Sequence, residues 1–246
     1  MNALALLGAV GIGLALGLTG SGGSILTLPV LVYLAGIPPR DAVGLSLLIV
    51  GAAALAGAWQ RARAGEVYFK AAGMFALSGM VGAVFGAKLT PLVPPAVIML
   101  SFAGLMIVLG IRMLVPRKSL LQPERECHPA RCLLAGAGVG VLTGFLGVGG
   151  GFLLMPALVK FARLPIRVAT GTSLAIIAAN SASGFFSHLG DAPTPWLLAA
   201  VFSLIAVAGV LAGGKISSRV PERTLRLAFA GLVLLTAAFV VWQTFP

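Results

Sequence analysis

The sequence predicts an all-α polytopic membrane protein made of two inverted-topology repeats, each with a glycine-broken first segment and three transmembrane helices. Three observations predict it. The 246 residues are 59% hydrophobic and only 9% charged, against about 25% charged in ordinary soluble domains. One offset lays half of the chain on the other. The basic residues sort to one side of a bilayer only if the halves are inverted. A chain this apolar could not cover its own surface in water, which argues against a soluble enzyme, a nucleic-acid binder or a disordered regulator. The net charge of +11, from 17 Lys+Arg and 6 Asp+Glu, is read as membrane orientation, because cytoplasmic loops collect Lys and Arg.

A shift of 127 positions brings Gly17 to Pro94 onto Gly144 to Pro221 without a gap. Gly17-x-x-Gly20-x-Gly22-Gly23 falls on Gly144-x-x-Gly147-x-Gly149-Gly150, and Pro29 and Pro38 fall on Pro156 and Pro165. Arg40-x-Ala42-x-Gly44-x-Ser46-Leu47 falls on Arg167-x-Ala169-x-Gly171-x-Ser173-Leu174, and Gly82-x-x-x-Gly86-x-Lys88 on Gly209-x-x-x-Gly213-x-Lys215. Shared composition could align scattered Ala and Leu, but not prolines, arginines and lysines at one offset. Residues 1–115 are the first repeat, 116–130 the linker and 131–246 the second repeat.

Each repeat offers four apolar segments: 3–35, 42–59, 69–88 and 96–114, then 132–162, 168–188, 195–214 and 224–243. The first of each is too long for one crossing, since about 20 residues span a hydrocarbon core of about 30 Å. Each is interrupted by glycines, which cost a helix about 1 kcal/mol apiece. If all eight segments crossed once, Lys and Arg would divide almost evenly between the two sides. If each broken segment enters and returns to its own side, Arg40 and Lys88 stand alone against the other 15 of the 17 cations. The second arrangement satisfies the positive-inside rule. It places both termini outside the cytoplasm and the linker inside, in a cell inner membrane. The N-terminus lacks a basic n-region, so it reads as a retained segment rather than a signal peptide.

Inverted repeats with discontinuous helices characterise many secondary transporters, with substrate near the midplane. The first break reads Thr19-Gly20-Ser21-Gly22-Gly23-Ser24. Glycines let backbone N–H groups approach a ligand, and a half-helix starting near Ser24 aims its positive end into the loop. The predicted ligand is therefore a small anion. The second break, Gly147, Gly149 and Gly150, has no hydroxyls, whereas the helix after it carries Thr172, Ser173 and Asn180. One asymmetric site combining the first loop and Ser46 with those residues is expected. The competing reading is helix-to-helix hydrogen bonding, worth about 0.6 kcal/mol each. Gly82, Gly86, Gly209 and Gly213 are read as packing positions.

Arg40 and Arg167 open matching helices, where a cation opposes the dipole; they are read as entrance residues for an anion, or else as headgroup anchors. No segment interior holds an Asp or Glu, which argues against a cation substrate. No HExxH, GxSxG or buried acid–base pair points to an enzyme. Cys127, His128 and Cys132 fall short of the four ligands of a zinc site, so no metal and no cofactor are expected. In a cytoplasmic linker both cysteines should be reduced thiols. The predicted partners are the small anion and the lipid bilayer, and no nucleic acid.

The duplicated Gly-x-Gly-Gly-x-x-x-x-x-Pro at Gly20 and Gly147, with the recurring Arg-x-Ala-x-Gly-x-Ser-Leu at Arg40 and Arg167, resembles the TauE/SafE family. This is the sulfite exporter or toluene-sulfonate uptake permease family, and the likeness covers nearly the whole chain. The resemblance implies movement of sulfite or small organosulfonates across a bacterial inner membrane. Its members differ in substrate and direction, so it implies an anion class rather than a compound. A carrier working by alternating access is the first expectation, an anion channel on the same repeats the second. A non-transporting membrane enzyme or assembly factor is the distant third.

Overall fold

The computed structural model describes residues 3–89, 103–104, 106–108, 110–111, 114, 129–146, 151–187 and 196–244. Among the described residues all regular structure is helical. In chain order the helices are α1 (Ala3–Thr19), α2 (Gly23–Pro29, continuing as a π-helical turn Val30–Leu34), α3 (Pro39–Arg63) and α4 (Phe69–Leu89). After them come α5 (Pro129–Leu146), α6 (Gly151–Phe161), α7 (Ile166–Ser187), α8 (Trp196–Arg219) and α9 (Glu222–Thr244). The helical residues described between 103 and 114 fall inside the expected fourth segment. The expected linker lies outside the described residues except at its end, where Pro129 and Ala130 already belong to α5.

Glycine and proline chemistry sets the ends. Gly20 adopts φ +76 and Gly36 and Gly65 φ +70, a left-handed conformation that L side chains resist. The turn at Gly20 folds α2 back on α1, so that Gly23 packs against Ile12 and Leu16 and Val30 against Gly8. The expected broken segment is thus a hairpin. Pro29 removes one N–H from the helical ladder, and the chain widens into a π turn directly after it. Pro156, the matching residue, sits inside α6.

The ends of the turn after α2 and of α6 share one kind of cap. Ile37 donates its N–H to Leu31 O at 3.0 Å, and Leu164 donates to Leu158 O at 3.4 Å. Each bond reaches back six residues, one more than the closing bond of a Schellman motif, and ends the helix around a left-handed residue. That residue is Gly36 in the first case and Arg163, at φ 49, in the second. Ala42 and Ala169 then donate to Pro38 O and Pro165 O at 3.0 and 2.8 Å. Arg163 is exposed and holds a conformation that costs a non-glycine residue about 1–2 kcal/mol. Glycine loses about 0.5–1 kcal/mol through its freer unfolded chain. Arg163→Gly should therefore leave thermal unfolding in detergent unchanged or slightly raised; a clear fall would mean the guanidinium contributes something the backbone does not explain.

Three described helices are long and apolar enough to cross a membrane: Gly44–Arg63, Phe69–Gly86 and Trp196–Ser217. Their outward faces carry exposed Leu55, Leu77, Leu197 and Leu204, a surface suited to lipid and not to water. The chain is a polytopic all-α membrane protein. Trp59, Trp196 and Trp242 are exposed near helix ends, where interfacial aromatics sit, and the Arg63 guanidinium lies 4.9 Å from the centroid of the Trp59 ring.

Small residues set the helix contacts. Gly13 packs against Ala206 and Gly209, and Gly17 against Val210, Gly213 and Gly214, so α1 and α8 run in the same direction with backbones nearly touching. Phe75 and Ser78 meet Gly136, Gly79 meets Gly140 and Gly82 meets Ala137 and Val141, so α4 and α5 are also parallel. Gly82, Gly209 and Gly213 thus pack as small-xxx-small interfaces do. At the centre α3 and α7 run antiparallel, with Leu47 against Gly184, Gly51 against Ser181 and Gly57 against Leu174. Cys132, buried in α5, is disulfide-bonded, which corrects the expectation of a reduced thiol; Cys127 lies outside the described residues.

Candidate functional site

The tip of the first hairpin is assembled from its own hydroxyls. Thr19 Oγ1 donates to Ala15 O at 2.6 Å and accepts the Gly22 N–H at 2.9 Å. Ser24 Oγ donates to Ser21 O at 2.8 Å, and Thr27 Oγ1 to Gly23 O at 2.9 Å. The bonds to the Gly22 N–H and Ser21 O satisfy groups that the break leaves outside the helical ladder. Ser21 is the exception: it is fully buried and its Oγ has no partner. A buried hydroxyl without a partner costs about 1–3 kcal/mol, so a ligand that uses it recovers that cost.

The second half meets this tip through one face of α7. Ser173, Ile177 and Asn180 follow the spacing that keeps side chains on one helical face. Ser173 Oγ lies 2.8 Å from Gly20 O and 2.8 Å from Thr170 O, able to donate to either. A Cβ on Gly20 would lie 2.6–2.8 Å from Thr170 Cγ2, O and Cα, so only glycine fits. One turn further on, a Cβ on Gly151 would lie 2.6 Å from Ser24 Oγ, 2.9 Å from Ile177 Cδ1 and 3.3 Å from Ser21 O. The first turns of α2 and α6 therefore meet beside Ser21. Both present helix N-termini, which carry partial positive charge and free N–H groups. Asn180 stands at the crossing of α3 and α7, near Gly79 of α4, and its buried Oδ1 has no partner.

The structure therefore brings together Thr19, Gly20, Ser21, Gly22, Gly23, Ser24 and Ser173, with Asn180 two turns beyond Ser173. Thr172 is directed elsewhere, since its Oγ1 accepts the Tyr68 N–H at 3.0 Å from the α3–α4 loop. Ser46 is half-buried on α3, and Arg167 half-buried at the start of α7. Gly147, Gly149 and Gly150 lie outside the described residues, as does the side chain of Arg40. The recurring motif acquires a physical meaning on α7: Ala169 is buried, Gly171 admits the Glu66 backbone and Arg61 Cβ, and Ser173 holds Gly20.

Sequence reasoning missed a buried ion pair. Arg61 was counted among loop cations; its side chain is only 4% exposed. Its Nη1 donates to Glu66 Oε2 at 2.6 Å, and its Nη2 to Ser217 Oγ at 2.8 Å and Gly17 O at 3.2 Å. Arg61 thereby caps the last turn of α1, where a cation suits the dipole, and ties it to α3 and α8. Gln60 adds a bond from Nε2 to Leu211 O at 3.1 Å. The available signal was an acid five residues beyond an arginine across the Ala64-Gly65 turn, with no other acid nearby.

Residues 4–240 match the family described as "Sulfite exporter TauE/SafE". The chain belongs to the TauE/SafE family. Among curated relatives, a "Probable membrane transporter protein" of Xylella fastidiosa is 32% identical over 95% of this chain and 92% of its own. "Probable membrane transporter protein YdhB" of Bacillus subtilis is 27% identical over 91% and 96%. "Probable membrane transporter protein MJ0441" of Methanocaldococcus jannaschii is 25% identical over 91% and 89%. No solved structure matches the chain. Membership makes this TauE/SafE chain a membrane transporter, not an enzyme. No group of His, Cys, Asp or Glu among the described residues could hold a metal ion.

Proposed function

We propose that this TauE/SafE transporter moves a small sulfur-containing anion, sulfite or an organosulfonate, across the bacterial inner membrane by alternating access between two inverted repeats. The observation that carries the reading is the buried, unpartnered Ser21 Oγ at the meeting of two helix N-termini that bear no carboxylate. Such a place favours an oxyanion through N–H and O–H donors without binding it irreversibly. Helix directions support the inverted arrangement. Tyr68 meets Thr172 and Gly79 meets Asn180, so α4 runs with α7; α1, α3 and α8 then run one way and α4, α5 and α7 the other. Each helix of 1–115 so placed opposes its equivalent in 131–246. On the positive-inside count the termini face outward and the linker 116–130 faces the cytoplasm. Arg40 and Arg167 serve as entrance residues on opposite faces.

The test is flux in proteoliposomes loaded with sulfite and challenged outside with sulfite, sulfate, thiosulfate, sulfoacetate, taurine or chloride. Saturable exchange with counterflow is expected. Ser21→Ala and Asn180→Ala should each raise KM for the transported anion by about tenfold, since a hydrogen bond to a charged group contributes about 1.5–3 kcal/mol. If neither changes KM while both proteins stay folded, the combined site is wrong. Large unitary currents without counterflow would instead make the same repeats a channel.

A further inference from the structure

Arg61 is a full positive charge held one helical turn from the broken segment, and its partner is Glu66. That pairing is uneven in its access to solvent: the Arg61 side chain is 4% exposed and that of Glu66 20%. Glu66 is thus the more accessible partner of the two. Behind it, Arg61 holds Gly17 O and Ser217 Oγ, while its Nε has no partner. The loop carrying Glu66 is fastened beneath by the Tyr68 N–H on Thr172 Oγ1 and by the contact of Glu66 O with Gly171. The device is one-sided, because the equivalent positions in the second half are His188 and Pro193, which cannot form a carboxylate–guanidinium pair.

A buried ion pair is a poor source of stability compared with apolar packing, and its best-attested use is as a switch or register. In a protein that carries anions, Glu66 is chemically a resident anion: one of its oxygens holds Nη1, a donor that an oxyanion could take in its place. We propose that Arg61 is an anion-binding residue at one mouth of the pathway and that Glu66 is its displaceable internal ligand. An incoming oxyanion replaces Glu66 on Arg61, which frees the loop 64–68 and loosens the end of α1 from α3 and α8. When the anion leaves, Glu66 returns and closes that mouth. The binding half of this inference rests on the anion reading above, whereas the closing half does not.

The experiment separates the two. In a variant with both native cysteines changed to Ser, Thr170→Cys places a thiol beneath Gly20, where Thr170 is buried, and its labelling by a water-soluble maleimide is timed in proteoliposomes. Glu66→Gln, which keeps an acceptor oxygen but removes the charge, should speed labelling about tenfold without added anion. In the parent variant, sulfite should produce a similar acceleration. Glu66→Asp, which retains the charge, should stay near the parental rate, so that loss of folding in Glu66→Gln is not mistaken for opening. Glu66→Gln should also lower KM for anion presented at the cytoplasmic face and leave KM at the other face unchanged. Equal labelling in Glu66→Gln and parent, with both folded, overturns the closing role. Faster labelling in Glu66→Gln with no response to any anion in a protein that carries none removes the anion reading and keeps the closure. Anion flux with unchanged cytoplasmic KM overturns Arg61 as a binding residue.

Discussion

Gly20→Val should abolish transport and sharply reduce the yield of monodisperse protein in detergent. Valine at φ +76 is a steric outlier, and the left-handed conformation alone costs about 1–2 kcal/mol. Its Cβ would also lie 2.7–2.8 Å from Thr170 O and Cα, backbone atoms that cannot rotate away. Either the hairpin tip withdraws from α7 or α7 itself shifts, and both break the Ser173 bond to Gly20 O. Adding Thr170→Ser removes the methyl but leaves the carbonyl, so it should not restore activity. Gly20→Ala should show the same defect in weaker form, with overpacking adding about 1–3 kcal/mol to the conformational cost. Wild-type flux and elution for Gly20→Val would mean that the tip is not seated on α7.

Arg61→Met should be the most destabilising change at a charged position, by about 3–5 kcal/mol, because it leaves Glu66 without its counter-ion in a half-buried place. Gly17 O and the Ser217 hydroxyl lose their donor in the same step. Thermal unfolding in detergent reads this loss. The double change Arg61→Met with Glu66→Met should recover part of it, since it removes the uncompensated carboxylate although Gly17 O and the Ser217 hydroxyl still lack their donor. If the single and double variants unfold alike, the cost lies in α1 capping and not in the pair.

The all-α, apolar character of the chain and the interruption at Gly20 were legible in the sequence because each has a local cause. Apolar runs, glycine clusters and prolines act within a few residues, and the 127-residue offset carries them across both halves. Ser173 stood out in the sequence by its polarity on an apolar helix, and its hydroxyl meets Gly20 O. Thr172 was chosen on the same grounds, yet its hydroxyl belongs to the Tyr68 backbone, a contact set by where the α3–α4 loop lands. Arg61 was misjudged for the converse reason. A cation at a helix end normally reaches solvent, and only the arrival of Gly17 and Ser217 from distant segments encloses it. Arg163 in a left-handed turn was not foreseen, although its alignment with Gly36 carried the signal.

The exchange of partners between halves has a consequence for biogenesis. The glycine face of α1 is complementary to α8, from Gly13 against Gly209 to Gly17 against Gly213, and α8 leaves the ribosome long after α1. Until then the first hairpin enters the bilayer with its grooved face against lipid, its carbonyls near Gly17 uncapped by Ser217. Contacts between distant parts of a chain form late and slowly. The first hairpin thus waits, inserted but unfinished, for α8, and gains its final shape only when that helix arrives.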